Sequence, residues 1–147
     1  MKYLICSKSD FSPVDFTGVR WLEQESDYPP AKQYWKAFDQ DLDDITWSKA
    51  HEFGDRYAAF LEGGQIISIA AVCYLSDEAW EVAAVSTLKS HRRKGYSKRV
   101  LSFITTYILE MGRLATCCTN EDNVEMTATA KSVGFKEVPR DKAWWSK

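Results

Sequence analysis

Long apolar runs are missing from this chain of 147 residues. Crossing a membrane takes about 18 or more consecutive apolar residues, so no transmembrane helix is expected. The opening Met-Lys-Tyr-Leu-Ile-Cys carries an apolar stretch too short for the core of a signal peptide, and none is expected there. Histidine is scarce: His51 and His91 are the only imidazoles, which argues against a metal site. The cysteines Cys6, Cys73, Cys117 and Cys118 show no C-x-x-C spacing. Cys117 and Cys118 fall in one strand-like run, where neighbours point to opposite faces and one must turn inward. Unpaired thiols of this kind fit a reducing, cytoplasmic compartment. A basic excess is absent as well. The net charge of −2 disfavours a general nucleic-acid binder. Only Gly95 lies between Gly64 and Gly112, which excludes the dinucleotide fingerprint G-x-G-x-x-G. The phosphate loop G-x-x-x-x-G-K-[ST] is absent too.

What is present is a chain long enough for one well-packed domain, with 45% hydrophobic and 14% aromatic residues. Its most informative segment is Arg-Arg-Lys-Gly-Tyr-Ser at 92–97. A strand-like run precedes it at 80–87, and an amphipathic helical pattern follows. Strand, basic glycine-containing turn and helix together build an anion cradle. The first N–H groups of a helix lack partners within the helix and carry the positive end of its dipole. Arg92, Arg93, Lys94 and Lys98 crowd the same turn, and Gly95 has no Cβ to keep a ligand away. A diphosphate suits such a place.

The surrounding pattern is regular. Residues 56–61 and 65–75 are apolar and β-prone, with Glu62-Gly63-Gly64 as the turn of a hairpin. Ser76-Asp77-Glu78 leads into the run at 80–87. Val100, Leu101, Ile104, Ile108 and Met111 recur at helical spacing, and Gly112 stops that helix. Residues 113–119 read as another strand. Asp122-Asn123 can cap a helix ended by Gly134. Residues 135–138 and 143–146 predict a closing pair of strands around Pro139.

The basic turn resembles the acyl-CoA-binding motif [QR]-x-x-G-x-[GA] of the GNAT superfamily of N-acetyltransferases, met by Arg92 and Gly95 with Ser97 in the last small-residue slot. The order β-β-β-α-β-α-β-β is similar to the core of that family, and Asn123 with Gly134-Phe135 fits its pattern N-(x)10-G-F. The resemblance covers about residues 56–138 and implies an α+β (mixed α/β) fold. A central mixed, mostly antiparallel sheet flanked by helices would splay between its fourth and fifth strands. Residues 1–147 would form a single domain: 1–55 a variable acceptor-side part, 56–138 the acyl-CoA-binding core, 139–147 the closing strand. Acetyl-CoA would be the co-substrate, with no metal. Backbone groups of Val85, Ser86 and Thr87 would take the pantetheine arm and those of Arg92, Arg93, Lys94, Gly95, Tyr96, Ser97 and Lys98 the pyrophosphate. Asn123 would reach the pantetheine from the other side.

Transfer of an acyl group from a thioester to an amine also needs a base. Glu81 is the candidate, at the spacing of the catalytic glutamate in a lysine-acetylating branch of the family. It lies four residues before Val85 on the same strand, so the two side chains are expected to face one way. The alternative is a solvated strand glutamate. The tyrosine that many relatives place seven residues after the asparagine is absent, since Ala130 stands there. A CoA-binding regulatory or sensor domain without turnover is therefore the alternative to an enzyme. His91 could touch phosphate or be a solvated loop residue. Trp144 and Trp145 could be a core and edge pair or an aromatic wall. In the N-terminal third, Pro29 or Pro30 can open a helix through Phe38. Asp39, Asp41, Asp43 and Asp44 form either a solvated loop or a lure for a cationic amine. The acceptor would be an amine of a small molecule or a protein, with no nucleic-acid or membrane partner. Homodimers are common in the family.

Overall fold

The computed structural model describes residues 1–52 and 56–139. Seven strands form one sheet: β1 Lys2–Cys6, β2 Val19–Trp21, β3 Arg56–Glu62, β4 Gln65–Cys73, β5 Ala79–Thr87, β6 Leu114–Thr119 and β7 Lys136–Val138. Four α-helices accompany them: α1 Tyr28–Lys36, α2 Asp44–Glu52, α3 Tyr96–Glu110 and α4 Val124–Ser132. The strand order is β2-β3-β4-β5-β6-β1-β7, and every pairing is antiparallel except β5 with β6. This is the mixed, mostly antiparallel sheet that the family resemblance implies.

The two faces carry separate cores. On one, α3 lays Val100, Leu101, Ile104 and Ile108 against Ala58, Ala70, Val72, Trp80 and Val82, with Ala130 of α4 and Val133 just past its end in the same cluster. On the other, Ala31 and Tyr34 of α1 and Trp47 of α2 cover Ala59, Ile67 and Ile69. Both faces of β4 are therefore covered. That explains its near-continuous apolar run, in which Ser68 is the one polar interruption between Ile66 and Cys73.

Two departures from the sequence reading stand out. Residues 1–7 are only weakly strand-like by sequence, which leaves a first strand unassigned, yet Lys2–Cys6 forms β1 and fills the place between β6 and β7, with Tyr3 opposite Cys118 on one side and Val138 on the other. Only Leu4 and Cys6 of this strand are buried, so its placement depends on tertiary partners. The described neighbour of residues 136–138 is thus β1. The predicted strand at 143–146, with Trp144 and Trp145, lies outside the described residues. The acidic run is likewise more than a loop. The Asp43 carboxylate accepts from the Thr46 N–H at 2.7 Å at the start of α2, Asp44 sits in the first turn, and Asp41 pairs with Lys32 at 3.6 Å.

Asp27 anchors the N-terminal third. It is buried, and its carboxylate accepts from Arg20 Nη1 and Nη2 at 2.8 and 2.9 Å and from the Glu23 N–H at 2.6 Å. The Arg20 guanidinium holds the Asp27 carboxyl below its usual value of 3.8. A group depressed in this way stabilises the fold above its unfolded value and loses that contribution as pH falls through the folded value. Asp27→Asn is expected to cost about 1–3 kcal/mol at neutral pH by denaturant titration. The gap between wild type and variant should narrow below about pH 4 as the native carboxylate protonates.

Candidate functional site

The site starts where strand pairing stops. β5 and β6 are in register at Ala79↔Leu114, Trp80↔Ala115 and Glu81↔Thr116, and no further. Both strands continue, β5 to Thr87 and β6 to Thr119, without pairing to each other. Thr116 Oγ1 donates to the Trp80 carbonyl at 3.2 Å at this last point of contact. The backbone of 82–87 has no β6 partner, so an extended ligand can take one.

A β-bulge adds to the divergence. On the β4 side the register runs Ala71↔Ala83 and then Ile69↔Ser86, so Ala84 and Val85 both oppose Ala70. Ala84 has φ +55°. The extra residue reverses the alternation along the strand. Trp80 and Val82 face the α3 core before the bulge, and Val85 packs on that same core after it. Glu81 therefore points to the opposite face from Val85. The expectation that the two share a face is corrected here, because a bulge leaves no trace in strand periodicity.

The gap opens into a cleft of about 680 Å³. Of the residues picked from the sequence, Val85, Ser86, Thr87, Arg92, Arg93, Gly95, Tyr96, Ser97, Lys98 and Asn123 line it; Lys94 and Glu81 do not. His91, Glu125, Met126, Ala128 and Thr129 complete the wall. Arg93 (φ +65°) and Gly95 (φ +84°) are both left-handed, and Gly95 caps α3. Left-handed residues in such a turn direct successive N–H groups toward one point, which makes an anion-binding nest. Among the described residues nothing lies within 4 Å of where a Cβ at Gly95 would stand, so glycine is required there by its φ.

Side-chain hydroxyls brace the nest from behind. Ser68 Oγ donates to the Ser86 carbonyl at 2.8 Å, and Ser68 Oγ meets Thr87 Oγ1 at 2.8 Å. Thr87 Oγ1 meets Ser97 Oγ at 2.6 Å. Each hydroxyl has one proton. With Ser68's proton used on Ser86, the chain must run Ser97→Thr87→Ser68→Ser86 carbonyl. The serine in the small-residue slot thus ties the start of α3 to the end of β5. The signal for it in the sequence is Ser68, one hydroxyl in an apolar strand.

Several of the chosen residues have structural duties as well. Arg92 Nε donates to the Thr87 carbonyl at 3.3 Å, fixing the turn. The Ser86 hydroxyl is on the α1 side, 2.7 Å from the Tyr34 hydroxyl, whose phenol burial pushes up to about 12. Tyr96 packs against Phe60 with ring centroids 4.8 Å apart. Arg93 pairs with Glu125 at 3.7 Å across the mouth. Asn123 caps α4 by accepting from the Met126 N–H at 3.1 Å, so its amide NH2 carries the donors that a ligand can use. Ala130 is fully buried in the core beneath α4. Gly134 (φ +111°) packs so close to Asp10 that a Cβ would collide with its carbonyl oxygen. That contact gives the Gly134-Phe135 pair its physical reason.

Glu81 lies at the inner end of the opening, half-buried. Cys118, on β6, donates its thiol to Glu81 Oε1 at 3.1 Å. Sequence reasoning passed over Cys118. Its parity with Thr116 on β6 is the signal that sets it on the Glu81 face.

The sequence model of the acetyltransferase (GNAT) family matches residues 16–135, and the chain belongs to that family. Among curated protein sequences none matches. Solved structures agree on the fold. A GNAT-family acetyltransferase from Novosphingobium aromaticivorans superposes with a TM-score of 0.74 at 18% identity, over 93% of this chain and 59% of that one. A GCN5-related N-acetyltransferase from Kribbella flavida gives 0.67 at 22%, over 92% and 53%. The chain thus spans little more than half the length of these two. AAC(6')-Iy, solved with the bisubstrate analogue CoA-S-monomethyl-acetylneamine, gives 0.69 at 14%, over 83% and 92%.

The two glycines separate conformational from steric need. Gly95→Ala should cost about 1–2 kcal/mol, the strain of a left-handed non-glycine residue. Gly134→Ala adds a collision with backbone and should cost clearly more. Denaturant midpoints of the two variants check the order.

Proposed function

We propose that the chain is an N-acetyltransferase that moves an acetyl group from acetyl-CoA to a primary amine of a small molecule or protein, by direct attack in a ternary complex. The observation that carries this reading is the coincidence of an unpaired strand edge at 82–87 with a cationic nest at 92–98 in one cleft. CoA joins an extended amide-bearing arm to a diphosphate, and the two halves of the cleft suit these two halves of the ligand. The unpaired peptide groups around Val85 and Thr87 would hold the arm. The nest at Arg93 to Lys98, with the α3 N-terminus, would hold the diphosphate. Asn123 would donate from the α4 side. The thioester supplies the activated acetyl group.

Glu81 would serve as the general base, directly or through water. It stands where the strands part, on the face opposite α3, and a carboxylate is the simplest group to take an ammonium proton there. Catalysis by positioning accounts for much of the remainder, and its worth is several kcal/mol. On the acceptor side, three of the four clustered aspartates are committed, Asp43 and Asp44 to the start of α2 and Asp41 to Lys32. Asp39 instead borders a second cavity of about 590 Å³ with Phe38, Lys89 and Arg92. The structural relatives include an aminoglycoside acetyltransferase solved with sisomicin, which favours polyamine-like acceptors among the candidates.

A second reading is favoured by one observation: Ala130, in the slot where relatives carry a tyrosine, is sealed in the core and offers no acid. A CoA-binding sensor without turnover would look the same.

Two measurements separate these readings. Calorimetric titration should detect acetyl-CoA binding, and no heat at millimolar ligand would sink both. Release of free CoA thiol is then followed with spermidine, neamine and a lysine peptide as acceptors. Turnover with any of them supports the enzyme, and binding without turnover supports the sensor. Glu81→Gln should lower kcat about 10²-fold or more at neutral pH with acetyl-CoA affinity unchanged. Unaltered turnover would remove Glu81 from the mechanism.

A further inference from the structure

We propose that Cys118 is a positioning residue for Glu81: its thiol holds the carboxylate across the opening between β5 and β6. The inference rests on the reading of Glu81 as the base. Glu81 is the last residue of β5 in register with β6, opposite Thr116. Two residues further along β6, the alternation of side chains returns Cys118 to the same face. By then the backbones have parted, and the contact from Cys118 Sγ to Glu81 Oε1 at 3.1 Å crosses the gap they leave. Cys118 is itself held from its far side, because β1 pairs with β6 and sets Tyr3 opposite it.

The chemistry of this pair is asymmetric. A carboxylate accepts at both oxygens, and a thiol offers one weak donor. Occupying Oε1 leaves Oε2 for an acceptor amine or a water. Cys118 is exposed at its rim, yet partial desolvation and then the neighbouring carboxylate push its thiol up to about 11. At neutral pH it is a proton donor rather than a second anion beside Glu81. That also argues against a nucleophilic role, which needs the thiolate. A glutamate side chain at the last position of β5 paired on both sides, opposite Thr116 and Cys73, still has several rotamers, and a misplacement of about 1 Å in a reacting group can cost on the order of 10²-fold. The thiol selects one of those rotamers.

The contact is tested first without turnover. Alkylation of Cys118 by iodoacetamide, read by mass spectrometry across pH, should accelerate at least about threefold in Glu81→Gln, because the carboxylate no longer opposes thiolate formation. An unchanged profile overturns the contact. The role is tested with Cys118→Ala and Cys118→Ser, each in wild type and in Glu81→Gln, using the fastest of spermidine, neamine and the lysine peptide. Cys118→Ala should lower kcat about tenfold with KM for acetyl-CoA unchanged. Cys118→Ser, whose hydroxyl can donate in the same direction, should recover most of the loss. In Glu81→Gln the alanine change should cost less than about twofold, as expected for coupled residues. Equal losses in both backgrounds, or a serine variant no better than alanine, would reduce Cys118 to a packing role. No turnover with any amine would remove the base and the proposal with it, even with the alkylation result in hand.

Discussion

The parting of β5 from β6 after Glu81↔Thr116 is the constraint on which the rest of this architecture depends. A parallel pair buried between helices is usually continuous, and peptide groups left unpaired inside a protein are costly. Here six residues of β5 give up their partner on one side. The bulge at Ala84 and Val85 bends the strand away, and β1 holds β6 from its other edge through five consecutive pairs. The resulting gap is a fixed shape between two firmly held strands, which is what an extended ligand needs if it is to lose little entropy to ordering on the protein's part.

The basic turn depends on that gap. The hydroxyl series Ser97, Thr87, Ser68 and the Arg92 bond to the Thr87 carbonyl attach the nest to the end of β5. The N-terminus of α3 therefore points at the mouth of the opening. Electrostatics here is local: a chain with net charge −2 concentrates Arg92, Arg93 and Lys98 on one wall, and Glu125 on α4 answers Arg93 across it. The cleft is thus cationic where a diphosphate would lie and neutral along the unpaired strand.

Much of this was legible in the sequence, and the misses have physical causes. The hairpin at Gly63-Gly64, the helix stopped by Gly112 and the Asn123 cap are local chemistry, written in turn residues and apolar spacing. The turn residues from Arg92 to Lys98 stand out because strand, glycine turn and helix follow one another directly, whereas Val85, Ser86, Thr87 and Asn123 come with the resemblance to the acyl-CoA-binding motif. Lys94 was included for its charge and its backbone amide, and its place on the turn leaves it off the wall. What escaped depends on partners distant in sequence. Residues 2–6 become a strand only because β6 and β7 flank them. The bulge at Ala84 is set by the pairing with β4, and it reversed the face assigned to Glu81. Cys118 and Tyr34 gain their roles from contacts 37 and 52 residues away. The aspartates at 43 and 44 look like a charge run until α2 begins there.

In the proposed function the open edge of β5 and the nest form one donor site. Hydrogen exchange with and without acetyl-CoA tests it at the level of single amides. The account predicts that protection rises at 82–87 and 93–98 together, with little change at the β3–β4 hairpin. Binding that leaves the amides of 82–87 exchanging at their free rate, or that protects a different part of the sheet, would contradict it.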